Sequence, residues 1–153
     1  MATTPRPLRP VKVWFHVPAD PTQVFAFVSD TRNDPIWCPN VTDVVQVDGH
    51  GVHPGARFRF NQTVRAGGRD LVSEVDVEVI RVDDRTIEWQ VEDRFQERHV
   101  RLSVSEDKGG SVVSQTTVAA FKHPPGLAGW FYPLLARRTF KDQFTRLAEH
   151  FAE

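Results

Sequence analysis

The chain has 153 residues, with 19 Lys and Arg against 20 Asp and Glu and a formal net charge of −1. That length suits one domain around one core. The lack of a basic excess argues against a phosphate-binding protein, so no nucleic-acid partner is expected.

Residues 1–9 are rich in proline and are read as a loose segment ahead of a single domain spanning 10–153. Val11 to Val17 has the composition of a first strand. Asp20-Pro21 then marks a helix start, because Asp20 can accept from free N–H groups and proline suits the first helical position. Val24, Phe25, Phe27 and Val28 supply that helix with an apolar side. Thr31 to Pro39 carries two prolines and is expected to be irregular, with any helix limited to a short turn.

Six further strand-like runs follow: 41–48, 56–64, 70–80, 86–93, 97–105 and 111–121. Phe58, Phe60 and Val64 alternate with Arg57, Arg59 and Arg65; Ile87, Trp89 and Val91 alternate with Glu88, Gln90 and Glu92. Period-two alternation of this kind indicates an antiparallel sheet with one covered face and one wet face. The run 111–121 shows no clean phase.

Gly67-Gly68 is a favourable two-residue hairpin turn. Pairing Ala66 with Arg69 sets Val64 opposite Leu71, Gln62 opposite Ser73, Phe60 opposite Val75 and Phe58 opposite Val77. A turn at Arg94-Phe95 sets Val91 opposite Arg98, Trp89 opposite Val100 and Ile87 opposite Leu102. A slip of one residue would break every apolar match, so the agreement specifies the register. A three-residue loop at 82–84 would place Val77 beside Trp89 and Ser73 beside Asp93.

From Lys122 to the C-terminus the chain reads as one long amphipathic helix. Its stripe is bulky: Trp130, Phe131, Leu134, Phe140, Phe144, Leu147 and Phe151. Pro133 leaves two readings open. The continuous helix starts near it, or a kinked segment 127–132 forms a lid that brings Trp130, Phe131 and Tyr132 to a cavity mouth.

The order of strand, helix, short turn, six strands and long helix resembles the START-like, or SRPBCC, helix-grip superfamily. The segments VPADPTQVFAFVSDTRNDPIWCPNVTDVVQVDG, VHPGARFRF and GLAGWFYPLLARRTFKDQFTRLAEHF carry the resemblance, over roughly residues 10 to 152. Within it the chain looks most like the bacterial polyketide cyclase/dehydrase and lipid-transport family. The resemblance implies an α+β helix-grip fold. A curved, seven-stranded antiparallel sheet would wrap around the long C-terminal helix, with two short helices between strands 1 and 2. It also implies an apolar ligand between sheet and helix, and a shared cavity rather than a shared catalytic motif.

Under the register above, the covered face has an apolar middle of Phe58, Phe60, Val75, Val77, Trp89, Val91 and Val100. One end is polar, with Gln62, Ser73, Asp93 and Gln96, and Arg98 one row in. That row either lies beyond the helix in water or lines a polar end of a pocket. The candidate binding residues are these apolar positions with Gln62, Ser73, Arg98, Trp130, Phe131 and Leu134. The large aromatics also fit a solid core, but the many inner valines leave room for a cavity of modest size.

The sequence contains no HExxH, GxSxG, CxxC or glycine-rich phosphate loop. His50 and His53 share a glycine-rich loop but lack further ligands, so neither a metal nor any other cofactor is expected. No catalytic residue is assigned; Arg98, Asp93, Ser73 and Tyr132 are the only candidates, and Asp93–Arg98 also reads as an ordinary cross-strand ion pair. Cys38 can form no internal disulfide and reads as a small buried filler. No apolar leader follows Met1 and no run approaches the ~18 apolar residues of a membrane span, so a cytoplasmic protein without stable membrane insertion is expected. Three functions are compatible: a carrier or sensor of a hydrophobic lipid, polyketide or isoprenoid-like molecule; a polyketide cyclase/dehydrase enzyme; and a protein-interaction module. A monomer or weak homodimer is expected.

Overall fold

Alternating apolar and charged residues drive the middle of the chain into strands, and the strands join one sheet. The computed structural model describes residues 7–66, 68–122 and 127–152, with the side chains of 64–66 and 127–133 outside the description. The strands are β1 (Val11–Val17), β2 (Val41–Asp48), β3 (Arg57–Ala66), β4 (Arg69–Val82), β5 (Thr86–Glu92), β6 (Gln96–Asp107) and β7 (Gly110–Phe121). Their spatial order is β1-β7-β6-β5-β4-β3-β2. Every neighbouring pair is antiparallel. Two short helices, α1 (Pro21–Val28) and α2 (Asp34–Trp37), lie between β1 and β2 with a 3-10 turn at Thr31–Asn33. A long helix, α3 (Leu127–Ala152), follows β7. The result is an α+β helix-grip fold whose curved sheet wraps the terminal helix.

Local chemistry explains the starts and turns. Asp20 Oδ1 accepts from the N–H of Thr22 at 2.8 Å and of Gln23 at 3.4 Å, which satisfies donors that the first turn of α1 leaves free. Gly110 is required by a close approach: a Cβ there would lie 2.8 Å from the Val17 carbonyl oxygen. Before β1, the Leu8 N–H donates to the Ala119 carbonyl at 2.7 Å, tying that segment to β7.

The β3–β4 hairpin has the expected register, with Gln62 opposite Ser73 and Phe58 opposite Val77. The β5–β6 hairpin does too, with Trp89 opposite Val100 and Val91 opposite Arg98. The β4–β5 pairing does not. Val79, not Val77, lies beside Trp89, and Val77 lies beside Val91. The turn is two residues, Asp84 and Arg85, closed by the Asp83 N–H donating to the Thr86 carbonyl; it moves the pairing by three residues, and the bulge between Val79 and Arg81 takes one back. Together these move the pairing by two residues, so the inner face stays inner.

The unclear phase of β7 also has a physical reason. Its buried face is Ser111, Val113, Gln115, Thr117 and Ala119. Three of these five are polar, so hydrophobicity alone hides a regular alternation. Ser111 Oγ donates to the Ala19 carbonyl at 2.6 Å, and Gln115 Nε2 donates to Thr117 Oγ1 at 3.4 Å.

The core joins Phe58, Val75, Val79, Ile87 and Leu102 of the sheet to Phe144 and Leu147 of α3. Each such side chain contributes roughly 1.5–3 kcal/mol by burial. Phe144 stacks on Phe15 of β1 at 6.0 Å between centroids and meets Trp37 of α2 at 5.6 Å. Helix α3 is continuous from Leu127, so it does not begin near Pro133 but runs through it. Proline has no N–H, and the Gly129 carbonyl is thereby deprived of its usual helical donor. The side chains of Trp130, Phe131 and Tyr132, and with them the lid reading, lie outside the described residues. Among the described residues no helix is long and apolar enough to cross a membrane.

Candidate functional site

A cavity opens between the inner face of the sheet, the segment from Val28 to Val41 and helix α3. The sheet contributes Phe60, Gln62, Val77, Trp89, Val91, Arg98, Val100, Leu102 and Gln115. The opposite wall is Thr31, Asp34, Trp37 and Cys38, with Val28 and Val41 at its ends and Phe140 and Gln143 reaching in from α3. The cavity itself has a volume of about 100 Å³. That is smaller than the roughly 300–1,000 Å³ of most small-molecule pockets, although it shares their mix of apolar walls and a few polar groups.

Register explains how a charge comes to line this space. Val77 pairs with Val91, and Val91 pairs with Arg98, so the three form one row across β4, β5 and β6. Along β6, Arg98 shares the inward phase of Val100, Leu102 and Val104. Its guanidinium has no carboxylate within ion-pair distance among the described residues. The anticipated Asp93–Arg98 pair is absent because Asp93 has another task. Its Oδ1 accepts from the N–H groups of Phe95 at 2.7 Å and Gln96 at 2.9 Å, holding the β5–β6 turn.

The helical wall carries the titratable groups. Burial pushes the Asp34 carboxyl well above the usual carboxylate range, and the nearby Asp30 charge pushes it further. Asp30 itself ends below its ordinary value: burial raises it, but hydrogen bonds from the side chain and backbone of Arg32 and the charge of Arg32 outweigh burial. The Arg32–Asp30 contacts are 2.9 Å at Nε and 2.8 Å at the terminal nitrogen. Burial likewise raises the Cys38 thiol, Asp34 adds to the effect, and Arg98 opposes it. A thiol so raised is a poor nucleophile at neutral pH. The indole N–H groups of Trp37 and Trp89, Ser73 Oγ and Gln96 Oε1 are buried without a hydrogen-bond partner among the described residues. Such a group costs about 1–3 kcal/mol when left unpaired.

Seven of the sequence-derived candidates meet at the cavity: Phe60, Gln62, Val77, Trp89, Val91, Arg98 and Val100. Phe58, Ser73 and Val75 are buried nearby but do not line it. Asp93 is buried in its turn. Leu134 is 69% exposed, on the solvent side of α3, because the buried stripe of that helix passes through Ala136, Phe140, Phe144 and Leu147. Trp130, Phe131 and Tyr132 fall outside the described side chains. Sequence reasoning missed Asp34, Gln115 and Gln143. Counting by two from Val113 points to Gln115, and counting three onward from Phe140 in the aromatic stripe places Gln143 beside it. Asp34 sat in a segment read only as irregular. Among the described residues no group of three or more His, Cys, Asp or Glu could hold a metal.

Comparison with known proteins adds the wider context. A family model described as polyketide cyclase / dehydrase and lipid transport matches residues 10–153. No curated protein matches the chain by sequence. Among solved structures, a START superfamily protein from Mycobacterium smegmatis superposes with a TM-score of 0.74 at 17% identity, covering 94% of this chain and 97% of that one. The protein TTHA0849 from Thermus thermophilus superposes with a TM-score of 0.69 at 18% identity, covering 94% and 97%. DynU16, a protein of the dynemicin biosynthetic locus, reaches 0.63 at 18% identity and covers 92% of this chain but 46% of its own length. At these identities the likeness is one of fold.

Proposed function

We propose that this chain, which belongs to the polyketide cyclase/dehydrase and lipid transport family, holds a hydrophobic or amphipathic small molecule between its sheet and α3 and acts as its carrier or sensor. The observation that carries this reading is the lining of the cavity. Phe60, Val77, Trp89, Val91 and Val100 offer an apolar bed, and only a few polar groups interrupt it. Desolvating an apolar ligand against such a bed favours binding by roughly 25 cal/mol for each Å² of apolar surface removed from water.

Native mass spectrometry of the protein purified from its own host tests this directly. The expected result is a bound species in the small-molecule range that is lost on denaturation and is absent from a Val100→Trp variant, whose indole fills the cavity. An empty wild type, together with wild-type and Val100→Trp proteins that take up hydrophobic probes equally, would remove the reading.

The enzymatic reading is favoured by one observation. Asp34, a carboxyl that burial raises well above the usual range, and Arg98, a cation with no carboxylate partner among the described residues, line the same space. A proton donor beside a cation suits chemistry on a carbonyl. DynU16, similar in fold, comes from a biosynthetic locus. Loss of turnover with retained binding in Asp34→Asn or Arg98→Gln would support the enzyme; unchanged turnover in both would oppose it.

A further inference from the structure

We infer that the ligand is an organic anion whose charged oxygen seats on the Arg98 guanidinium, with the Asp34 carboxyl beside it as the second polar contact. This rests on the cavity-binding reading above and adds the ligand's charge class to it.

Two observations converge. First, Arg98 brings a permanent positive charge to the cavity wall, and no carboxylate among the described residues neutralises it. A partly desolvated guanidinium without a partner is costly, and a carboxylate or enolate oxygen is the group that its fork of donors fits. Second, the acid on the same wall is not its counter-ion. Asp34 and Arg98 both act on the Cys38 thiol, in opposite directions, so both charges lie near it. They nevertheless form no ion pair with each other. Burial and the Asp30 charge both push the Asp34 carboxyl well above the usual carboxylate range, which favours its proton-bearing, donating form.

The charge balance makes the site sensitive to pH. An anion beside Asp34 requires that carboxyl to stay protonated. Of the groups around it, Asp30 opposes its ionisation, and Cys38 and Arg98 share its cavity wall. Affinity for an anion is therefore full while Asp34 holds its proton and falls as pH rises through the elevated range in which Asp34 ionises.

Two fluorescent probes with one aromatic body separate charge from apolar burial: 1-naphthaleneacetate, an anion, and 2-(1-naphthyl)ethanol, which is neutral. Both are titrated into the wild-type protein and into Arg98→Gln, Arg98→Lys and Asp34→Asn, with thermal melts confirming that each variant is folded. The acid is expected to bind the wild type about tenfold more tightly than the alcohol, the usual scale of one charge-assisted contact. Arg98→Gln should close that gap by weakening the acid, with the alcohol changed by less than about twofold, the scale of a neutral cavity contact. Arg98→Lys should keep part of the gap. Asp34→Asn should abolish the loss of acid binding at high pH. Equal binding of the two probes by the wild type, or a gap that survives Arg98→Gln, overturns the inference and leaves the cavity reading standing. Failure of both probes to bind the wild type overturns the inference and the cavity reading together.

Discussion

The two walls of the cavity are built on different principles. The sheet wall is set by long-range pairing: Phe58 opposite Val77, Val77 beside Val91, Val91 opposite Arg98. Each position there is held by neighbours on both sides, and the wall is mostly apolar. The helical wall is a short stretch, Thr31 to Cys38, shaped by an Asp30 cap and a proline at the start of a four-residue helix. It carries the raised carboxyl, the raised thiol and an unpaired indole N–H. The sheet supplies shape, and the short wall supplies much of the chemistry. A small element beside a rigid scaffold can change its side chains without disturbing the fold.

The largest break in this arrangement is expected at Phe144, which joins the two walls through Phe15 and Trp37. Phe144→Ala should cost about 3–5 kcal/mol in urea unfolding, because the side chain is fully buried and its neighbours on both walls would face a void. A cost near zero would mean that the walls are not joined there.

Asp34→Asn tests the helical wall by pH. A carboxyl whose folded pKa lies above its unfolded value stabilises the folded state least where the unfolded chain has already ionised. Wild-type stability should therefore fall as pH rises from the usual carboxylate range towards the raised Asp34 value, and then level off. The Asn variant should lack that decline. It should match the wild type in acid and exceed it at neutral pH, as measured by denaturant midpoints across a pH series. Identical pH profiles for the two proteins would mean that Asp34 ionises as freely folded as unfolded.

Trp37→Phe and Trp89→Phe compare one residue type on the two walls. Each removes an N–H that has no acceptor among the described residues, which offsets part of the lost packing, so each should cost about 1 kcal/mol or less. A larger loss would show that the indole nitrogen has a partner in solution, such as an ordered water. The smallest effect is expected at Leu134, outside both walls. Leu134→Ala should change stability by less than about 0.5 kcal/mol and leave probe binding unaltered.

The sheet wall was largely legible in the sequence, because period-two alternation and two turns specify a register that single-residue slips would destroy. The boundaries of β1 and β2, the Asp20 cap and both outer hairpin registers follow from local patterns. The β4–β5 register did not: the bulge at Ile80 shows only as a change of apolar phase, from Val75, Val77 and Val79 to Val82, near the end of the strand. Much of the helical wall was not legible. Asp34 looks like any polar residue in a proline-bounded loop, and its altered chemistry arises from enclosure by elements distant in sequence. Leu134 failed for the opposite reason: it continues an apolar stripe in sequence, yet the buried face of α3 does not extend to it.

The shift between Val79 and Arg81 has a practical consequence. Parity of the inner face is restored inside the strand, several residues from the tip of the hairpin at Asp83 and Asp84. The facing of Val77 and Val91 is thus insulated from the loop, and both aspartates are exposed. A dye or affinity handle attached at that tip would report on the protein without perturbing the space where a ligand sits.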